Sequence, residues 1–275
     1  MELEINHIGS EYGTIEYYSY MRSNQSPVNL YIHGLGYHKN WFNNHFARFE
    51  LDRYSWIVPD LMGHGNSSKP ETQQAYTMDK QAEYLADILK REKVNRIRVI
   101  AHSMGGAIAI SLLELLSRSS SKGIEPILLL YLEGNLDEGD AFFSSKVAEV
   151  PFEEYKKSFK PWCEKVLQTT EDYSMRSWVE ALRDAGSFTV WASSRNLVKV
   201  SKESDLFKRL RDVFGGPTYF VFGERNKGIY SSEELVKKNN MPVLYVSNAG
   251  HAMHEDNPSG FWKIVLQQIE STSSS

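Results

Sequence analysis

The stretch that decides the fold is Ile97-Arg98-Val99-Ile100-Ala101-His102-Ser103-Met104-Gly105-Gly106-Ala107-Ile108-Ala109-Ile110. Ile97–Ile100 is a short apolar run of the kind that forms a buried strand, and the small and apolar residues from Ala107 to Leu113 read as a helix. Ser103 falls at the junction. A serine on a tight strand-to-helix turn is held in a strained backbone conformation that pushes its hydroxyl off the end of the sheet, and small residues at 101 and 105 let strand and helix pack closely around it. Glycine is usual at both of those flanking positions, and Ala101 still leaves room. Acyl-transfer chemistry asks this presentation of a serine nucleophile. An ordinary buried serine also fits five residues, so the reading depends on finding partners.

A serine nucleophile needs a base, and Ser247-Asn248-Ala249-Gly250-His251 follows the short apolar run Val243-Leu244-Tyr245-Val246. A histidine on a loop beyond a late strand is placed at the C-terminal edge of a parallel sheet, where α/β folds gather their reactive groups. His254 is a rival three residues on. It is read as structural, because Gly250 supplies a sharp turn at His251 and Asp256-Asn257-Pro258 then opens the last helix.

Two more turns extend the pattern. His33-Gly34-Leu35-Gly36 follows the strand Val28–Ile32, and Asp60-Leu61-Met62-Gly63-His64-Gly65-Asn66-Ser67 follows Trp56–Pro59. With the Ser103 turn and His251, these four motifs stand in the order and on the strand ends of the α/β-hydrolase superfamily, which the chain resembles from about residue 28 to its last helix. The resemblance implies an α/β fold: an eight-stranded, mostly parallel sheet, helices on both faces and a helical cap inserted after strand 6. It also implies that the backbone N–H groups of Leu35 and Met104 form an oxyanion hole, with His33 shaping the loop and His102 packing beside the elbow.

The acid that orients the histidine departs from the commonest family pattern. After the strand Thr218–Phe222 many members carry G-E-x-D, whereas this chain has Gly223-Glu224-Arg225-Asn226. An amide at 226 can hold an imidazole but offers no charge to the imidazolium. The strand Ile127–Leu132 ends in Glu133-Gly134-Asn135, so Glu133 lies at the same sheet edge, and the chain is similar here to haloalkane dehalogenases, which take their acid from just after strand 6. Glu133 is therefore the expected acid, ahead of Asn226 as a neutral orienter and of Glu224. A serine at the elbow excludes the route of relatives that open epoxides or displace halide from an aspartate, and points to an acyl-enzyme.

Composition sets the remaining expectations. The 275 residues carry a formal net charge of −4 and are 41% hydrophobic, which gives a sizeable core and no electrostatic footprint for nucleic acid. The single cysteine, Cys163, excludes an internal disulfide and a cysteine-based metal cluster. Neither a signal-like N-terminus nor a membrane-spanning apolar stretch is found, so the expected location is cytoplasmic, with no membrane partner. Residues 1–134 and 213–270 are expected to form the core, 135–212 a cap broken at Pro151, Pro161 and Gly186, and 271–275 a disordered tail. Cap aromatics such as Phe143, Trp178 and Trp191 point to an apolar substrate. The expectation is a capped serine esterase for small to medium apolar esters, monomeric or homodimeric, needing no metal or organic cofactor. Ser103, His251 and Glu133 would be its triad. Thioester, lactone or carbon–carbon hydrolysis by the same groups stays open, as does a ligand-sensing protein on the same fold.

Overall fold

The computed structural model describes residues 2–22, 27–118 and 123–272. Strands β1 Glu4–Ser10, β2 Gly13–Tyr20, β3 Val28–Ile32, β4 Ser55–Pro59, β5 Arg96–His102, β6 Glu125–Leu132, β7 Thr218–Gly223 and β8 Val243–Val246 form one sheet in the order β1-β2-β4-β3-β5-β6-β7-β8. β2 pairs antiparallel with both β1 and β4, and the other pairings are parallel. This is the eight-stranded, mostly parallel sheet that the sequence leads one to expect.

The central strands are apolar on both faces because both faces are covered. Leu30 and Ile32 of β3, Val99 and Ala101 of β5, and Leu129 and Tyr131 of β6 turn into one core. Tyr31, Ile100, Leu128 and Leu130, between or beside them, turn into the other. A two-residue alternation with no polar face reads in sequence as an unbroken apolar run. Helices α2 Met78–Arg91 and α3 Met104–Ser117 line the first face, while α1 Asn40–Phe46 and the last helix, Pro258–Ser271, bring Phe42 and Trp262 against Trp56 on the second.

After β6 the chain leaves the sheet and builds four helices, α4 Phe142–Ala148, α5 Phe152–Thr169, α6 Tyr173–Ala185 and α7 Ser187–Glu203, before α8 Leu206–Val213 returns against α3. Pro151 caps α5, and Gly186, at φ +86°, separates α6 from α7. Pro161 does not break the chain as expected but lies inside α5. Tyr155, Phe159 and Cys163, spaced by four, bury one face of that helix, and this packing outweighs the bond that the proline nitrogen cannot donate. At the other end, Ser271 closes the last helix and Thr272 Oγ1 accepts a 2.8 Å bond from Arg98 Nε. The expected tail therefore does not begin at Ser271, and residues 273–275 lie outside the described residues. Among the described residues no helix is long and apolar enough to cross a membrane.

One buried carboxylate organises the turn after β4 and accounts for its second glycine. Asp60, fully buried, accepts from the backbone N–H of Lys39 at 2.6 Å and of Asn66 at 2.8 Å, and pairs with Lys39 Nζ at 2.7 Å. A Cβ at Gly65 would lie 2.2 Å from that carboxylate. Burial works against the Lys39 charge, but Asp60 and Glu16 outweigh it and raise its pKa. The clamp ties the loop after β3 to the end of β4, and so fixes one wall of the site described next.

Candidate active site

Ser103 has φ +55° and ψ −125°, a strained conformation at the first turn of α3. The glycines that follow are required by contact. A Cβ on Gly105 would come within 2.4 Å of the Ile32 carbonyl, and one on Gly106 within 2.5 Å of the Tyr131 ring. Met104 is the first residue of α3, where the backbone N–H has no intrahelical acceptor and the helix dipole favours negative charge.

The loop after β3 faces the same point. A Cβ on Gly34 would stand 2.8 Å from that of Ser103. The Gly34 carbonyl accepts from Tyr37 N at 3.2 Å and lies 2.8 Å from His33 Nδ1, while His33 Nε2 accepts from Leu61 N at 3.0 Å. In a trans peptide, pinning that carbonyl turns the Leu35 N–H to the opposite side. The next carbonyl, that of Leu35, accepts a 2.9 Å bond from the indole Nε1 of Trp178 on α6 of the cap. His33 thus braces the loop; burial drives its pKa down to about 3, so it is neutral.

Glu133 follows β6 at φ +41° and its side chain is fully buried. Its Oε1 accepts from Gly223 N at 2.7 Å, and Asn226 Nδ2 lies 3.1 and 2.9 Å from its two oxygens. Its Oε2 is 2.8 Å from His251 Nδ1. An ionised carboxylate only accepts, so Nδ1 carries the proton and Nε2 is left as the acceptor. Asn226 thus touches the carboxylate and not the ring, and Glu224 is engaged elsewhere, accepting from Asn248 N at 3.0 Å. The residue with left-handed backbone in the loop before His251 is Asn248, at φ +55°, rather than Gly250. The Tyr230 hydroxyl, 3.1 Å from Nδ1, is a neighbour that sequence reasoning missed, as it missed Trp178 Nε1. Neither stands in a recognisable motif.

Ser103, His251 and Leu35 line one cavity of about 430 Å³, roofed in part by Phe142, Phe143 and Trp178 of the cap. No hydrogen bond joins Ser103 to His251. Such contacts are often long until substrate closes the site. His102 donates from Nε2 to the His251 carbonyl at 2.9 Å, fixing the loop, while His254 is buried beneath it among Tyr37 and Trp41. Trp191, by contrast, is committed to the cap interior, its Nε1 donating to Val150 O at 2.9 Å.

Comparisons with known proteins agree with this architecture. A family model described as the alpha/beta hydrolase fold matches residues 28–121. An uncharacterized protein of Mycobacterium tuberculosis is 34% identical over 84 residues, which are 30% of this chain and 24% of the relative, so this chain matches only about a quarter of that relative's length. A protein of Mycoplasma genitalium named as an esterase/lipase is 20% identical over 260 residues, 92% of each chain. Among solved structures, an N-acyl homoserine lactonase complexed with N-hexanoyl homoserine superposes with a TM-score of 0.73 at 15% identity, covering 99% of this chain and 98% of that one. With its sheet order, its strand-end turns and the helices inserted after β6, the chain carries the α/β-hydrolase fold.

Proposed function

We propose that this protein is a serine hydrolase that cleaves carboxylic esters, open-chain or cyclic, through an acyl-enzyme. The observation that carries the reading is the 2.8 Å pairing of His251 Nδ1 with the buried Glu133 carboxylate, at the rim of a cavity that also exposes a strained Ser103. Ser103 attacks the carbonyl and His251 Nε2 takes its proton. Glu133 stabilises the imidazolium, and the backbone N–H groups of Leu35 and Met104 receive the oxyanion. Each such donor is worth about 2.7–4 kcal/mol in other serine hydrolases. His251 then protonates the leaving alcohol and, as base again, activates the water that releases the acid.

The apolar roof of Phe143 and Trp178 favours an apolar acyl group and excludes water from the intermediate. The esterase/lipase-named relative and the lactonase of similar fold both support the ester class, a lactone being a cyclic ester. The test is stoichiometric labelling of Ser103 by a fluorophosphonate, together with turnover of p-nitrophenyl esters of two to eight acyl carbons and of simple lactones. We expect full labelling and a preference for short to medium acyl chains, both abolished in Ser103→Ala. Slow, partial labelling without turnover would instead identify a ligand-sensing protein with an unactivated serine.

A further inference from the structure

Most polar side chains around the cavity are already engaged by the protein. Asp140 accepts from the backbone N–H groups of Leu136 and Ser232, Asp172 from that of Met175, and Ser174 donates to Asp256. Asn226 is held on Glu133 and Tyr230 stands against His251. Asn135 is different. It follows Glu133 by two residues, lines the cavity and is 4% exposed, and its Nδ2 is buried without an acceptor. Among the described residues its carboxamide forms no hydrogen bond at all. Its backbone carbonyl accepts a 2.6 Å bond from the Tyr131 hydroxyl, so the residue is fixed in place. The Ser144 hydroxyl of α4, on a residue 5% exposed, lines the same cavity and also lacks a hydrogen bond among the described residues.

A buried amide nitrogen without an acceptor is unfavourable, and a leucine has the same branched outline without that cost. In a cavity that adjoins the nucleophile, the missing partner is one that a substrate can bring. Of the lining residues, Arg225 and Asp172 are exposed to solvent and mark the open side, where an alcohol can depart. Asn135, buried, belongs to the closed side, which is left for the acyl group. We infer that Asn135 selects esters whose acyl part carries a second carbonyl, as a ketone or an amide, by hydrogen bonding to it through its carboxamide. This inference rests on the serine-hydrolase reading and narrows its substrate class. Rotation about the last side-chain torsion exchanges donor and acceptor, so one residue can serve a ketone oxygen or both ends of an amide. Sites built to hydrogen-bond a substrate group reject analogues that lack it far more strongly than apolar pockets reject one methylene.

The experiment compares p-nitrophenyl pentanoate, 4-oxopentanoate and N-acetylglycinate, which share one chain length, with each kcat/KM divided by the ester's rate of hydrolysis by hydroxide. The wild type should favour both carbonyl-bearing esters by about tenfold or more, and Asn135→Leu should bring that ratio close to one. Asn135→Ala gives the same reading where the leucine variant does not fold. A wild-type ratio near one, or a ratio that survives the substitution, overturns the assignment to Asn135. If the wild type turns over pentanoate without preference, only this inference falls. If no ester is cleaved and Ser103 does not label, the hydrolase reading falls and takes this inference with it.

Discussion

His251 and His254 stand three residues apart and both pack near His102, at ring-centroid distances of 4.7 and 5.5 Å, yet their surroundings differ. The His251 side chain is 40% exposed, lines the cavity and faces a carboxylate. His254 is buried against Trp41 at 4.5 Å and Tyr37 at 5.0 Å, and neither of its ring nitrogens has a hydrogen-bond partner among the described residues. Burial drives its pKa down to about 3. An imidazole serves as a base only where it reaches the reacting groups and its charged form is accommodated; His251 lines the cavity beside a carboxylate, and His254 is sealed among rings. One offers a carboxylate and water; the other offers rings.

The contrast can be broken by substitution. The largest expected effect is His251→Ala, which should lower kcat for an activated ester by about 10⁶-fold, as removal of the base does in other serine hydrolases. Glu133→Gln should follow, with a loss approaching about 10⁴-fold, the scale seen when a triad acid becomes an amide in a serine protease. Near-normal turnover in Glu133→Gln would mean that the ring is held by Tyr230 or by solvent and that the carboxylate is structural. Asn226→Ala should cost less than about tenfold in kcat, because Gly223 N still holds Oε1 and Oε2 still faces the ring. Its effect should be read as a loss of order at Glu133, not of charge.

The smallest effect on rate belongs to His254→Phe, which should leave kcat/KM within about threefold, since an apolar ring replaces one that has no hydrogen bond. Its signature lies in stability. The folded pKa of about 3 is below the ordinary 6.5, so the unfolded chain takes up a proton that the folded chain refuses. The stability contribution of His254 is therefore complete above about pH 6.5 and is lost as pH falls toward 3. His33 and His64, also pushed down to about 3, act in the same direction. The thermal midpoint of the wild type should fall on going from pH 7.5 to pH 5, and His254→Phe should reduce that fall. An equal or larger fall in the variant would show that His254 is not among the groups that make the fold acid-sensitive.

What could be read from the chain, and what could not, divides along similar lines. The Ser103 turn is legible because a buried strand, a tight turn and two glycines must be adjacent in sequence, and contact with Ile32 and Tyr131 leaves no room for a side chain at either glycine. The nearness of Glu133 to His251 is legible because parallel strands end on one edge. Lys39 is not, because the charge that Asp60 neutralises comes from a loop twenty-one residues earlier and carries no motif. Trp178 is not, because its bond to Leu35 spans 143 residues and depends on how the cap helices settle. Pro161 misleads for the same reason, since the packing of Tyr155, Phe159 and Cys163 is decided by the cap as a whole. Local grammar reaches the sheet edge and stops where the cap begins.

The bond from Trp178 to the Leu35 carbonyl makes the roof and the floor of the site one mechanical unit. Moving α6 away would break that bond, and with it one of the contacts that hold the loop after β3 beside Ser103. Under the proposed hydrolase reading, lifting the roof would loosen the loop proposed to receive the oxyanion, so the cap and the reaction would be coupled through a single hydrogen bond.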